Sequence, residues 1–169
     1  VLLKGTVIDQ STGSVLIDAQ VRLISSTMGT GTTYTNGMGE FTGLVPTNQV
    51  LTLQVWLPCG PLGAYVLVHE EVVGPFAAES AIMVFIDGPA LNLVMGQVLD
   101  CSAAPVEEGY VWANGQAVFC TAGGYEFMTC TDSVSLRAVD LLASTVSQQV
   151  TVAVVPDTTI VADLLACLS

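Results

Sequence analysis

His69-Glu70-Glu71 is the one place in this sequence where an imidazole adjoins carboxylates. Hydrolytic chemistry there would need a nucleophile or a metal oriented by that histidine. No Gly-x-Ser-x-Gly elbow supplies the nucleophile, and no second histidine exists to complete a metal set. The three residues read instead as charges on a solvated strand or its edge, where they discourage stray pairing. Tyr110 and Trp112 are the next candidates. If Val111 and Ala113 face a core, the two rings point outward together, able to stack on a sugar ring or to sink into a partner. Arg22 holds the matching outward position in the first half. Asp9, Asp18, Asp87, Asp100, Glu107 and Glu108 fall near strand ends, where calcium could collect carboxylates. No loop carries the dense alternating Asp/Asn spacing of a strong calcium site, so solvated turn carboxylates are the reading adopted. No metal or cofactor is expected.

Those residues must be positioned by strands, because no stretch shows helical periodicity. Leu2–Ile8, Ala19–Ile24, Thr33–Thr35, Glu40–Leu44, Val50–Trp56, Ala64–Val73 and Ala81–Ile86 are the strands expected in the first half. Val50–Trp56 alternates most clearly, with Leu51, Leu53 and Val55 inward and Thr52, Gln54 and Trp56 outward. Ser25–Thr32 reads as a loop, and Asn36-Gly37-Met38-Gly39 as a hairpin returning the third strand into the fourth. Asp87–Asn92, with its proline, reads as a short stiff linker. Trp56 is expected to pack near the junction.

After the linker the order restarts. Met95-Gly96-Gln97-Val98-Leu99-Asp100 matches Lys4-Gly5-Thr6-Val7-Ile8-Asp9. Leu93–Leu99, Gly109–Ala113, Gln116–Thr121, Tyr125–Met128, Val134–Leu141, Gln148–Val155 and Ile160–Cys167 follow as strands, with Asn114-Gly115 a strong hairpin signal. Two β-sandwich modules joined head to tail, residues 1–89 and 90–169, are therefore expected, each small but able to bury a core.

Composition narrows the function classes. Of 169 residues, 51% are hydrophobic and 11% charged, with three basic side chains against 15 acidic ones and a formal net charge of −12. No basic footprint exists for nucleic acid. No apolar run reaches the roughly 20 residues of a membrane helix. So little surface charge implies a surface covered by neighbours, by glycan, or by both. With no initiator Met and no leader-like opening, a processed chain or an excised fragment is expected. Five cysteines without metal spacing imply an oxidising, extracellular compartment.

Strand direction suggests how the cysteines pair. If successive strands alternate, Cys101 and Cys167 meet at one end of the second module, where Cys120 is a rival. Cys59 and Cys130 fall at the ends that adjoin across the short linker. The expected bridges are Cys101–Cys167 and Cys59–Cys130, the latter crossing the junction and stiffening the pair. Cys120 is left free and buried. The alternative is five buried thiols.

The pattern Gly-x-Val-x-Asp, a turn, a small residue, Val-x-Leu, then Thr-x-x-x-Gly-x-Phe resembles the carboxypeptidase regulatory-like, or transthyretin-like, β-sandwich family. It reads Gly5–Asp9, Ala19–Leu23 and Thr35–Phe41 in the first half, and Gly96–Asp100, Gly109–Ala113 and Thr121–Phe127 in the second. Matched this way, Gly124-Tyr125-Glu126-Phe127 is one residue longer than Gly39-Glu40-Phe41. Cys59-Gly60, Gly74-Pro75-Phe76 and Val106–Val111 are similar to wording in tandem modules of large surface or secreted proteins of Bacteroidetes-type bacteria. The resemblance implies an all-β, Ig-like Greek-key fold. It also implies a non-catalytic role at the cell surface, as a repeat unit or subunit of a filament or stalk that self-associates or meets neighbouring modules. The alternatives are an adhesion or carbohydrate-binding module using Tyr110 and Trp112, or an accessory domain of a larger secreted enzyme. Lys4 occupies a place similar to the crosslinking lysine of isopeptide-bonded pilin modules, but Met95 stands at the matching position of the second half. Asp132-Ser133-Val134 and Asp157-Thr158-Thr159 resemble the O-glycosylation sites of the same bacteria, which marks Ser133 and Thr158 as acceptors.

Overall fold

A computed structural model of the chain describes residues 1–156 and 158–169. The protein is all-β and divides into two compact units, one of Val1–Pro58 with Tyr65–Pro89, the other of Cys59–Ala64 with Ala90–Ser169.

The first unit holds β1 (Leu2–Asp9), β2 (Gln20–Ser25), β3 (Gly29–Tyr34), β4 (Glu40–Leu44), β5 (Leu51–Leu57), β6 (Val66–Val73) and β7 (Ser80–Ile86). Two sheets form, in the orders β4-β1-β7 and β3-β2-β5-β6. β1 pairs with β4 antiparallel and with β7 parallel. Alternation decides which side chains meet between the sheets: Leu3, Val7, Val21, Leu23, Leu51, Leu53, Val55, Val84 and Ile86 are buried. Their neighbours in each strand face out.

The second unit holds β8 (Asn92–Leu99), β9 (Gly109–Ala113), β10 (Gln116–Phe119), β11 (Gly124–Thr129), β12 (Ser133–Asp140), β13 (Thr145–Val146), β14 (Val150–Ala153), β15 (Ile160–Val161) and β16 (Leu164–Leu165). One sheet runs β11-β8-β15, with β16 also on β8; the other runs β10-β9-β12-β13, with β14 also on β12. Its core gathers Val94, Val98, Val111, Val118, Tyr125, Phe127, Val134, Leu136 and Leu164. The topology thus follows that of the first unit: the opening strand lies between an antiparallel partner and a parallel closing strand.

Several expectations change. Gly29–Thr32 is strand rather than loop, paired in register with β2 from Ser25↔Gly29 to Gln20↔Tyr34. It is an exposed edge of Gly and Thr, so it carries no apolar alternation to betray it. The turn lies at Ser26–Met28, where the Ser25 hydroxyl accepts from the amides of Thr27 and Met28. Asn36–Gly39 is not a hairpin. Its flanking strands belong to different sheets, and Asn36 Oδ1 holds the crossover by accepting from the amides of Met38 and Glu40 at 2.9 and 3.0 Å.

The internal match also shifts by one residue. Phe41 lies opposite Gly5, and Tyr125, not Phe127, lies opposite Gly96. Gly39 and Gly123 both have positive φ, +72° and +77°. Their carbonyls accept from Val7 N and Val98 N at 3.0 and 2.8 Å. Gly123-Gly124-Tyr125 therefore corresponds to Gly39-Glu40-Phe41 with no extra residue.

The sixth strand begins at Val66, after a 3-10 turn at Pro61–Gly63, rather than at Ala64. The long strand expected over Gln148–Val155 is the shorter Val150–Ala153, and Ile160–Cys167 is two dipeptide strands. Asp163 separates those dipeptides and lends its carboxylate, not its backbone, to Gln97 N at 2.8 Å.

Candidate functional site

The outer faces of the two larger sheets hold the side chains with most capacity for recognition. In the first unit, Arg22 on β2 stands between Thr32 and Gln54, and Trp56 lies opposite Gln20. The Arg22 guanidinium sits over the Trp56 ring, 4.1 Å from its centroid, a cation–π contact. Arg22 Nε donates to Gln20 Oε1 at 2.9 Å, and Gln20 Nε2 donates to the Tyr34 hydroxyl at 2.8 Å. Trp56 Nε1 donates to Gln54 Oε1 at 3.2 Å, and Gln54 Nε2 donates to Glu70 Oε2 at 2.6 Å. Trp56 is thus held on its own sheet by Arg22 and Gln54.

The matching face of the second unit is aromatic. Val111 and Ala113 are buried, so Tyr110 and Trp112 point outward from β9, their ring centroids 5.5 Å apart and edge to face. Phe119, opposite Tyr110 on β10, joins them at 6.1 Å. Phe119 is 74% exposed and Trp112 41% exposed. Arg137 on β12 lies opposite Trp112. Among the described residues Arg137 has no ion pair, and neither it, Tyr110 nor Trp112 makes a side-chain hydrogen bond. A hydroxyl, an indole N–H and a guanidinium therefore surround an apolar platform with their donors unspent. Phe119 and Arg137 were not singled out in the sequence. The Asn114-Gly115 hairpin, which fixes the pairing of Tyr110 with Phe119, is the signal that finds the first of them.

The other candidates separate. His69 lies on β6, an edge strand, with Nε2 3.7 Å from Glu71 Oε1. That nitrogen is buried, and no hydroxyl or thiol hydrogen-bonds to it. Among the described residues no group of three His, Cys, Asp or Glu side chains could hold a metal ion. Asp9 and Asp100 instead organise their own turns. Each accepts from a serine two residues on, Ser11 or Ser102, through both its amide and its hydroxyl. The Ser11 hydroxyl, helped by the Ser11 amide, holds the Asp9 carboxyl down at about 2. Ser102 and the Ala104 amide lower Asp100 in the same direction. Lys4 is ion-paired with Glu79 on the exposed surface. Ser133 is exposed at the start of β12. Thr158 is exposed and donates to the Val155 carbonyl at 2.6 Å, while Asp157 lies outside the described residues.

Cys59 is bonded to Cys130 and Cys101 to Cys167. Cys59–Ala64 packs with the second unit, its 3-10 turn lying against β10 and β11 and the Cys59 carbonyl accepting from Cys130 N at 2.8 Å. Both expected pairings form; Cys59, in residues 1–89, belongs to the short segment Cys59–Ala64 that groups with the second unit. Cys120 is free and half-buried rather than fully buried, and burial raises its thiol. Tyr125 donates to the Ala162 carbonyl at 2.5 Å. Burial first, then the nearby Asp163 carboxylate, pushes its phenol well above the usual range.

The strands thus build an all-β protein of two β-sandwich units. No family model matches the sequence, and no curated protein is similar to it at a significant level. Among solved structures the chain is similar to a minor pilin of the Gram-positive pathogen Streptococcus agalactiae. That match has a TM-score of 0.67 at 8% identity and covers 99% of this chain and 96% of that one. It is also similar to a streptococcal ancillary pilin, with a TM-score of 0.53 at 12% identity over 98% of this chain and 62% of that one. At such identities the shared property is the fold.

Proposed function

We propose that this chain is a non-catalytic structural subunit of an extracellular, cell-surface filament or stalk. In this reading residues 1–89 and 90–169 are tandem copies of one transthyretin-like module. The observation that carries it is the fold likeness to the minor pilin, which runs the length of both chains. The acidic, weakly charged composition supports it, since a subunit flanked by neighbours needs little charge to stay dispersed. O-glycan at Ser133 or Thr158 would shield further surface. Electron microscopy of the native material tests the reading: ordered fibres containing this chain are the expected result, and isolated particles under all conditions overturn it.

The aromatic face supports a second reading, adhesion through a glycan or a partner protein contacting Tyr110 and Trp112. Stacking rings with unspent donors suit a sugar ring, which offers C–H faces and hydroxyls together. On a glycan array, Trp112→Ala should abolish binding while costing only about 1 kcal/mol of stability through the lost edge-to-face contact with Tyr110. Trp56→Ala should leave binding intact and destabilise the first unit. Binding unaffected by Trp112→Ala rejects this reading.

A further inference from the structure

The closing strands of the two units occupy the same place in the same topology, parallel to the opening strand at the border of the smaller sheet. They are finished differently. In the second unit the border is blunted: β15 and β16 are dipeptides, interrupted at Ala162-Asp163, with the Asp163 carboxylate drawn in to Gln97 N. A short, broken border carrying an inward charge resists pairing with another chain. In the first unit β7 is continuous. Ser80-Ala81-Ile82-Met83-Val84-Phe85-Ile86 pairs with β1 over its whole length, Leu3↔Ser80 to Asp9↔Ile86, and among the described residues has a hydrogen-bonded strand on that side only. It carries no charge, no proline and no glycine.

Backbone direction completes the picture. The Ile86 carbonyl turns toward β1, accepting from Gln10 N at 2.8 Å. Alternate residues point their backbone groups to opposite sides. Ala81, Met83 and Phe85 therefore direct theirs to the open side. Their side chains also leave the core: Met83 is 68% exposed and Phe85 51% exposed. Seven uncharged residues, four of them β-branched or aromatic (Ile82, Val84, Phe85 and Ile86), with backbone groups open on one side and Ala81, Met83 and Phe85 in one exposed row, form a template for strand addition.

We infer that β7 is a self-association edge, and that its occupant is β7 of a second copy of this chain, running antiparallel. A strand is required because the unmet groups are a row of backbone donors and acceptors. A second copy is favoured because the row is apolar and self-complementary. About a two-fold axis at Met83, Phe85 of each copy lies opposite Ala81 of the other, filling the cross-strand positions with a large and a small side chain. The other borders of the first unit compete less: β6 carries His69, Glu70 and Glu71 and shifts register between Val55 and Trp56, β4 is short and carries Glu40, and β3 is Gly and Thr with no apolar row. The charge of −12 on each copy opposes association at long range, so the contact tightens as salt screens it. The pairing closes on two copies, so a filament would use it as one of two alternating junctions. The inference names a contact and does not require that filaments form.

Sedimentation of the full chain tests it. The wild type should form a dimer whose population rises with ionic strength. Met83→Lys, at an exposed position that leaves the core untouched, should weaken the dimer at least about tenfold by placing a charge on the edge. Leu142→Lys, in an exposed turn of the second unit, should not. In a Cys120→Ser background, Met83→Cys should crosslink to a covalent dimer under mild oxidation, and Leu142→Cys should not. A wild type that stays monomeric at about millimolar concentration and high salt, or a dimer that survives Met83→Lys unchanged, overturns the inference. Filaments that assemble normally with Met83→Lys also remove β7 from assembly while leaving the filament reading intact. A β7 dimer that never extends into filaments upholds the edge and rejects that reading.

Discussion

The two larger sheets differ where their strand order agrees. On the first unit's outer face Arg22, Trp56, Gln20, Gln54, Tyr34 and Glu70 satisfy one another through a cation–π contact and four hydrogen bonds. On the second unit's face Tyr110, Trp112, Phe119 and Arg137 gather without such partners among the described residues. The smaller sheets show a second difference: the first unit closes on a continuous strand, the second on two dipeptides. The cystines follow that division, since both lie within the second unit and none within the first. One topology is thus held in two ways. The first unit relies on a continuous parallel border and a polar network; the second relies on covalent bonds and so can leave its aromatic face unspent. The chain has two tryptophans, Trp56 in the first unit and Trp112 in the second, so with either replaced by phenylalanine the fluorescence of the other follows its own unit.

The largest effect should come from the cystines. Each closes a loop of 66 or 71 residues, which removes about 4 kcal/mol of unfolded-state entropy on the chain-entropy model. Replacing Cys101 and Cys167 by serine should lower the denaturant midpoint of the Trp112 transition by a corresponding amount and move the Trp56 transition much less. Equal shifts of the two would show that the units do not divide the work in this way. A smaller contrast separates the central glycines. A Cβ on Gly96 would overlap the Ala162 carbonyl and lie 3.0 Å from the Tyr125 hydroxyl, whereas one on Gly5 would meet only the Phe41 ring. A ring can turn aside and a backbone carbonyl cannot. Gly96→Ala should cost about 3 kcal/mol and Gly5→Ala about 1 kcal/mol, both by overpacking, measured by chemical denaturation at each tryptophan. A reversed order would mean that the broken closing strand yields more easily than a packed ring.

Alternation made the core legible before the fold was known, because Leu51, Leu53 and Val55, or Val111 and Ala113, can face inward only if their neighbours face out. The same rule is silent at borders. Gly29–Thr32 has no buried side chain and so no pattern, and its pairing is fixed by β2 rather than by its own residues. Asn36-Gly37 carries hairpin chemistry, yet the strands it joins lie in different sheets, which local residues do not encode. The Gly39-Gly123 correspondence was hidden because Phe41 is matched by Tyr125, and a search for Phe lands two residues late on Phe127. For the candidate surface, Tyr110 and Trp112 were visible from strand parity. Phe119 and Arg137 join them only through cross-strand register, and Arg22 meets Trp56 for the same reason.

The smallest expected effect concerns the turn carboxylates that open each unit, and it measures how alike the units remain. Asp9 and Asp100 make the same serine-capped turn, and both carboxyls are lowered from 3.8, Asp9 to about 2. A carboxyl lowered by folding binds its proton more weakly in the folded chain than in the unfolded one. Its stabilisation is complete above the unfolded value and is lost as pH falls toward the folded one. Acid should therefore weaken the first unit between about pH 4 and pH 2 through Asp9, and the second in the same direction through Asp100. Asp9→Asn keeps an oxygen for the Ser11 amide and hydroxyl but removes the titration. It should flatten the acid limb of the Trp56 transition and leave that of Trp112 unchanged, with Asp100→Asn doing the converse. Acid limbs that ignore both substitutions would show that these turns are held by backbone geometry and the serines alone.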